Sequence, residues 1–338
     1  MSRKLHKFQT EAEYQAYSAS TEYTTPCVAV VEENNVIYYD YGNNKPQANY
    51  TDFKVSTKSL VSDGGNTYGF DDTLYINYYP SDIINPRFNG GIKRMDISKM
   101  PNTVTSLEYT FSGNTSLIEI IGEMPSGVTD MGWTFSGCKS LMNAPKIPNG
   151  VRNMCATFQE CSSIVNAPEI PSSVESMYFT FNKCSSLVNA PVIPSSVTNI
   201  DYTFYNCSNL VTAPEIPSGI TDMDSTFSYC SSLVNAPSVI PSSVNNMSFT
   251  FKGCSNLVIS PAIPNSVKNI NYTFSGCTSL KEVTFLHTTP LTYSSTLLSC
   301  SKLESIYVPD SALEDYRTAT GWSQFASKFK PLSSKQSE

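Results

Sequence analysis

A five-residue frame, Thr-Phe-x-x-Cys, returns at a 23-residue period through most of this chain, and no other feature constrains the fold as much. It reads TFSGC at 134–138, TFQEC at 157–161, TFNKC at 180–184 and TFYNC at 203–207. The frame Phe falls at Phe111, Phe135, Phe158, Phe181, Phe204, Phe227, Phe251 and Phe274, in steps of 23 or 24 residues, and a ninth, degenerate copy places Leu297 there. Such a period is the signature of a solenoid. One unit of this size cannot bury its own apolar face, whereas stacked units bury a continuous core.

Spacing identifies the inward set. Phe181, Cys184 and Leu187 stand three residues apart, one stripe of a tight turn, and Val244, Met247 and Ile193 represent the other apolar columns. Proline recurs twice per unit, as at Pro191 and Pro194. Proline cannot donate to a sheet ladder, so the Ala-Pro-x-Ile-Pro segment is expected to be extended and any parallel ladder short. At about 4.8 Å per rung, nine rungs make a rod section on the order of 40 Å long. The frame Thr occurs in eight copies, and the residue four before it is always Asn, Asp or Ser, as at Asn153, Asp222 and Asn269. Stacked polar columns of this kind are expected to bond between rungs and to satisfy backbone groups that the turns leave open.

These residues resemble the BspA-like leucine-rich repeat family. IPSSVESMYFTFNKCSSL at 170–187 is similar to its Ile-Pro-x-x-Val … Phe-x-x-Cys-x-x-Leu unit, and ITDMDSTFSYCSSL at 220–233 to a related Val-Thr-Asn-Met variant. The chain is a hybrid of the two patterns. The tail, LESIYVPDSALEDYRTATGWSQFASKFKPL at 303–332, resembles the terminal cap of such arrays. There LESIYVP reads as a last strand, Ser311 with Glu314 as a capping box, Gly321 as a helix stop, and Trp322 and Phe325 as a cover for the open rung. The resemblance implies a leucine-rich-repeat-type solenoid, with short parallel β rungs and helical turns or loops, that binds rather than catalyses. It also implies kinship with surface or secreted adhesion proteins.

The expected organisation is a helix plus β-hairpin module at 1–49, a β-rich, Tyr-rich region or N-terminal cap at 50–97, the solenoid at 98–304 with about nine repeats, and a C-terminal cap at 305–338. TEAEYQAYSA at 10–19 reads as a short helix, CVAVVEENNVIYYDYG at 27–42 as a hairpin, and DTLYINYYP at 72–80 as strand-like. The arrangement of the first module resembles small modules at the start of virion-associated and surface proteins of gut bacteria and their phages.

Catalytic chemistry is not expected. Of ten cysteines, eight (Cys138, Cys161, Cys184, Cys207, Cys230, Cys254, Cys277 and Cys300) are repeat positions, and Cys27 and Cys155 are not. No Cys-x-x-Cys pair offers a zinc site. Rung spacing allows disulfides between neighbours, but a small thiol filling the same core slot in each rung, and remaining reduced, is the expectation. The two histidines, His6 and His287, stand apart, which leaves no base for a nucleophilic triad; His287 is placed in a loop of the cap. No phosphate or dinucleotide loop occurs, and no cofactor or metal is expected. A net charge of −7 disfavours a nucleic-acid partner. No run is long and apolar enough to insert in a membrane.

One column is a candidate binding site. Two residues before each frame Phe stand Tyr109, Trp133, Ala156, Phe179, Tyr202, Ser225, Phe249 and Tyr272, six of them aromatic. If the column faces outward, Tyr109, Trp133, Phe179, Tyr202, Phe249 and Tyr272 form an aromatic strip suited to carbohydrate or protein. If the chain is extended there, the alternation Met-x-aromatic-x-Phe puts the same rings on the inner edge of the core. Two settings fit a display rod. One is a bacteriophage virion component, a fibre or decoration protein, joined to other virion proteins through its N-terminal module and touching a host-surface glycan or protein through the solenoid. The start of the chain lacks an apolar core behind its basic residues, which favours this setting, a virion location and synthesis in the bacterial cytoplasm. The alternative is a bacterial cell-surface adhesin. A homo-oligomer is compatible with either.

Overall fold

The computed structural model describes residues 93–98 and 100–335 in full and, before them, the backbone pairing of seven short strands. Strands β1 (Leu5–Phe8), β2 (Cys27–Val31), β3 (Val36–Asp40) and β4 (Lys54–Ser56) form one sheet in that order. Within it β2 and β3 run antiparallel, the hairpin expected over 27–42. The helix expected over 10–19 lies outside the described residues. β5 (Val61–Ser62) pairs with β6 (Tyr68–Gly69). β7 (Thr73–Tyr75) then pairs in parallel with β8 (Arg94–Asp96), and β8 with β9 (Glu119–Ile121).

From there the chain is a parallel solenoid whose rungs repeat the sequence period. The ladder between successive rungs shrinks to single residues wherever the two prolines recur. Asn166, Asn189, Thr212 and Asn235 bridge one to the next on one side of the coil. On another side Ser106, Asp130, Asn153, Ser176 and Asn199 form a run, and Asp222, Asn246 and Asn269 a second. Where the prolines thin out, strands lengthen into β10 (Ile259–Ile263), β11 (Glu282–Phe285), β12 (Ser305–Val308) and β13 (Phe329–Pro331), all parallel. Pro261 remains inside β10, and the register against β11 shifts there, between Ile259 and Ala262. The Ser260 hydroxyl repairs the break by accepting from Thr284 N–H at 3.2 Å.

Phe, Cys and Leu of the frames, with the Val and Met columns, are buried along the array, save Cys300 at its end, which is half-buried. The eight Phe rings form one stack, with centroid steps of 5.1–5.8 Å and neighbouring planes within 8°. The Thr column bonds between rungs as expected: Thr203 Oγ1 donates to Met177 O at 2.7 Å, and the same bond recurs at Thr157, Thr180, Thr250 and Thr273. Each ladder thiol donates to the carbonyl of the frame Phe one rung back, at 3.0–3.2 Å. Cysteine therefore supplies a donor as well as a small apolar filler. All nine described cysteines are free thiols.

The far end closes around Trp322, which is fully buried against Phe285, Tyr293 and Tyr316 and donates from Nε1 to Leu291 O at 2.6 Å. Phe325 packs beside it, half-buried. Two details of the tail differ from the sequence reading. β13, not the LESIYVP segment, is the last strand. Helix α1 (Leu313–Thr318) has no side-chain cap at its start; Glu314 bonds Arg317 instead, and Asp310 ties down Ser333. His287 is buried, its Nε2 bonded to Val267 O at 2.7 Å, and burial holds its pKa down. Gly321 does adopt positive φ, +79°, but two residues beyond the extended Ala319 that ends the helix.

Candidate functional site

The aromatic column is set by a turn that begins at the Asn/Asp/Ser column. In all eight rungs the side-chain oxygen of that residue accepts from the backbone N–H two residues on, for example Asn199 Oδ1 from Asp201 N–H at 3.0 Å. This is the Asx-type turn these residues favour. The next residue is the column residue, and it takes positive φ in each rung: 51–57° from Tyr109 through Ser295. An extended chain would place Met, the ring and Phe on one face. Positive φ bends the chain, so the frame Phe stays in the core while the column ring leaves it.

All six predicted rings are therefore half-buried, neither core nor fully free. They come together as three stacked pairs rather than one strip. Tyr109 lies 5.2 Å from Trp133, Phe179 4.6 Å from Tyr202, and Phe249 5.1 Å from Tyr272, with planes 13°, 14° and 3° apart. Ala156 and Ser225 interrupt the row with small side chains that expose little surface, 1 % and 4 %.

Left-handed backbone costs an L-residue roughly 1–2 kcal/mol. Each column N–H offsets this with a bond to the next rung, at 2.8–3.1 Å from Tyr109 to Tyr272. Glycine would hold the same bond without strain, yet no glycine occupies this column. A second positive-φ column, four residues on, does use it, at Gly113, Gly137, Gly253 and Gly276. The rings are thus retained against the preference of their own backbone.

Several neighbours of the strip carry no sequence motif. Tyr178 sets its edge on Phe179 at 4.5 Å, and Tyr205 meets Tyr229 edge-on at 5.6 Å. The Lys252 ammonium rests over Phe249, Tyr229 and Tyr272 at 5.2, 5.5 and 5.7 Å. Beside the strip, burial, with Asp222 and Asp224 as adjacent like charges, raises the Asp201 carboxyl to about 7. Its Oδ1 has no donor, and a proton on Asp201 supplies one to Asp222. Another surface carries an aliphatic row, Met142, Val165, Val188, Val211, Val234 and Val258, each at least 36 % exposed. That row was legible at the same period. Among the described residues no three His, Cys, Asp or Glu side chains stand together as a metal site.

The profile of the BspA type leucine-rich repeat region matches the chain in six copies, over residues 83–211, 156–271 and 247–319. No curated protein matches it. Among solved structures it is similar to a leucine-rich repeat protein from Bacteroides ovatus, with 19 % identity, 82 % of this chain and 76 % of that one covered, and a TM-score of 0.51. A leucine-rich repeat protein from Eubacterium ventriosum aligns at 21 % identity over 71 % of this chain and 74 % of its own, TM-score 0.43. The pneumococcal vaccine antigen PcpA aligns at 13 % identity over 91 % and 98 %, TM-score 0.49.

Proposed function

Because this chain belongs to the BspA type leucine-rich repeat family, we propose that it is a non-enzymatic attachment protein whose stacked aromatic strip holds an extended glycan or protein chain on a neighbouring surface. One observation carries the reading: aromatic rings are kept half-exposed on strained, positive-φ backbone in rung after rung. Backbone strain of this kind concentrates at sites of function. The rings are pre-stacked, so little side-chain freedom is lost when a ligand lies along them. The rigid spacing of the rungs favours a polymer that makes the same contact repeatedly.

The test is adhesion of beads coated with purified protein to mucin and to fixed bacterial cells. Ser225 shows that serine is accepted in this column, so the pairs Tyr109/Trp133, Phe179/Tyr202 and Phe249/Tyr272 are replaced by serine in turn. Each replacement is expected to weaken adhesion while Val165→Ser and Val188→Ser leave it unchanged. Wild-type adhesion by a folded variant lacking all six rings would overturn the reading. The setting is decided separately, by mass spectrometry of gradient-purified particles and of cell envelopes. Membership of this family favours the envelope. Recovery at stoichiometric copy number with a capsid or tail would instead assign the virion setting and a docking role for the N-terminal module.

A further inference from the structure

The two gaps in the aromatic row are unlike. Beside Ala156 the polar residues Gln159 and Glu160 follow, and Glu160 is ion-paired to Lys183 at 2.8 Å. After Ser225 the corresponding positions carry Ser228 and Tyr229, and the adjacent rungs add Tyr205 and Lys252. There a recess of about 330 Å³ opens across the strip, with Tyr202 and Phe249 on either side and Ser225 between them. That volume falls at the lower end of small-molecule sites, about 300–1,000 Å³.

Tyr202 and Phe249 stand two rungs apart, and the rung between them contributes no ring. Elsewhere along this column neighbouring rings stack at 4.6–5.2 Å. At about 4.8 Å per rung, the two rings flanking Ser225 are separated by roughly 10 Å, room for one flat ring between them. The polar wall specifies more. Asn182 lines the recess, is only 2 % exposed, and its side-chain amide makes no hydrogen bond with another described residue. As a lining residue its amide offers both a donor and an acceptor to whatever fills the recess. Lys252, held over its three rings, makes no ion pair with a described residue and keeps its N–H donors available.

We propose that this recess is a sugar subsite, taking one pyranose of an oligosaccharide between the Tyr202 and Phe249 faces. A pyranose presents C–H faces to both rings, and its rim of hydroxyls, each donor and acceptor, reaches the Asn182 amide and the Lys252 ammonium. An aromatic side chain fills the same slot but brings no such rim. The assignment rests on the strip being the contact surface.

Calorimetric titration with cellohexaose, chitohexaose, mannohexaose and hexagalacturonate tests it, with N-acetyltyrosinamide as the aromatic competitor. Ser225→Tyr supplies the missing ring from the protein itself. Its backbone accepts the change, since φ is 54° at Ser225 and 54–56° at Tyr202 and Tyr272. The expected result is that at least one hexamer binds the wild type, that S225Y weakens it at least tenfold, and that S225Y raises the Tm by about 2 °C through stacking. Ser225→Ala, which leaves the slot open, retains binding. Asn182→Leu, which removes the amide without adding a ring, is expected to weaken binding at least tenfold in a folded protein. Equal binding by wild type, S225Y and N182L would overturn the subsite and leave the strip reading standing. Binding of N-acetyltyrosinamide but of no hexamer would overturn the sugar assignment, and so would the absence of binding by every probe; the bead assay on the serine variants reports on the strip independently.

Discussion

Phe204→Ala and Tyr202→Ser change two aromatic residues of one rung, two positions apart, and their consequences are expected to differ several-fold. Phe204 is fully buried, stacked on Phe181 at 5.8 Å and on Phe227 at 5.6 Å. Deleting such a ring costs about 3–5 kcal/mol, the upper part applying where the site cannot collapse. Collapse is blocked here because the neighbouring rungs are pinned by Phe181 N–H to Thr203 O and Phe204 N–H to Thr226 O, both at 2.9 Å. The expected loss is therefore about 4–5 kcal/mol. Phe204→Leu is expected to cost about 1–2 kcal/mol, since Leu297 occupies this column in the ninth rung at 2 % exposure. Tyr202 is half-buried and stacks only on Phe179 within its column, so its loss costs about 1–2 kcal/mol, stacking and half-burial together. Urea unfolding followed by circular dichroism measures all three, with the m-value checked because repeat arrays can lose a rung locally. Hydrogen exchange at the Phe181 and Phe227 amides reports such local opening. Equal costs for F204A and Y202S, or a larger cost for Y202S, would refute the assignment of one ring to the core and the other to the surface.

Three further outcomes follow from the same geometry. Asp201, raised to about 7 from 3.8, keeps a proton in the folded state that the unfolded chain loses, so stability falls as pH rises between about 4 and 7. Asp201→Asn is expected to flatten that slope and to be more stable than wild type at pH 8 but not at pH 4, as thermal melts at the two pH values would show; an unchanged slope would refute it. Trp322→Ala, which empties the cap and orphans Leu291 O, is expected to cost about 3–5 kcal/mol and to raise exchange in β11 and β12 before the central rungs; uniform loss of protection along the array would contradict a local cap. Burial raises every described thiol, to about 11 at half-buried Cys155 and about 12 at Cys138 and Cys300, and well above the usual value at Cys161. Iodoacetamide at pH 8 is therefore expected to label Cys155 first among these, slowly, with the fully buried ladder thiols reacting only after unfolding; peptide mapping that found Cys184 or Cys207 labelled in the native protein would refute it.

Much of the architecture was written into the period. The spacing of Phe181, Cys184 and Leu187 named the core because in a solenoid the same angular position recurs in every rung. Pro191 and Pro194 announced short ladders because proline has no N–H to give, and the lengthening at β11 and β12, where such pairs are absent, is the same rule in reverse. Thr203 was legible as an inter-rung polar group because a buried repeat of polar side chains has to bond to something, and the Asn/Asp column bonds between rungs in part, as Asn153 does to Asp130 and Asn246 to Asp222. The orientation of Tyr109, Trp133, Phe179, Tyr202, Phe249 and Tyr272 was not legible. Alternation predicts a face only for extended backbone, and no glycine marks the positive φ that turns these rings out of the core. That conformation is held by N–H groups reaching carbonyls a full rung away, a contact that exists only once the rungs are stacked. For the same reason the gathering of Tyr205, Tyr229, Lys252 and Asn182 around Ser225, from residues as much as 70 apart, belongs to the tertiary structure: sequence set which residue types recur, and stacking decided which of them meet.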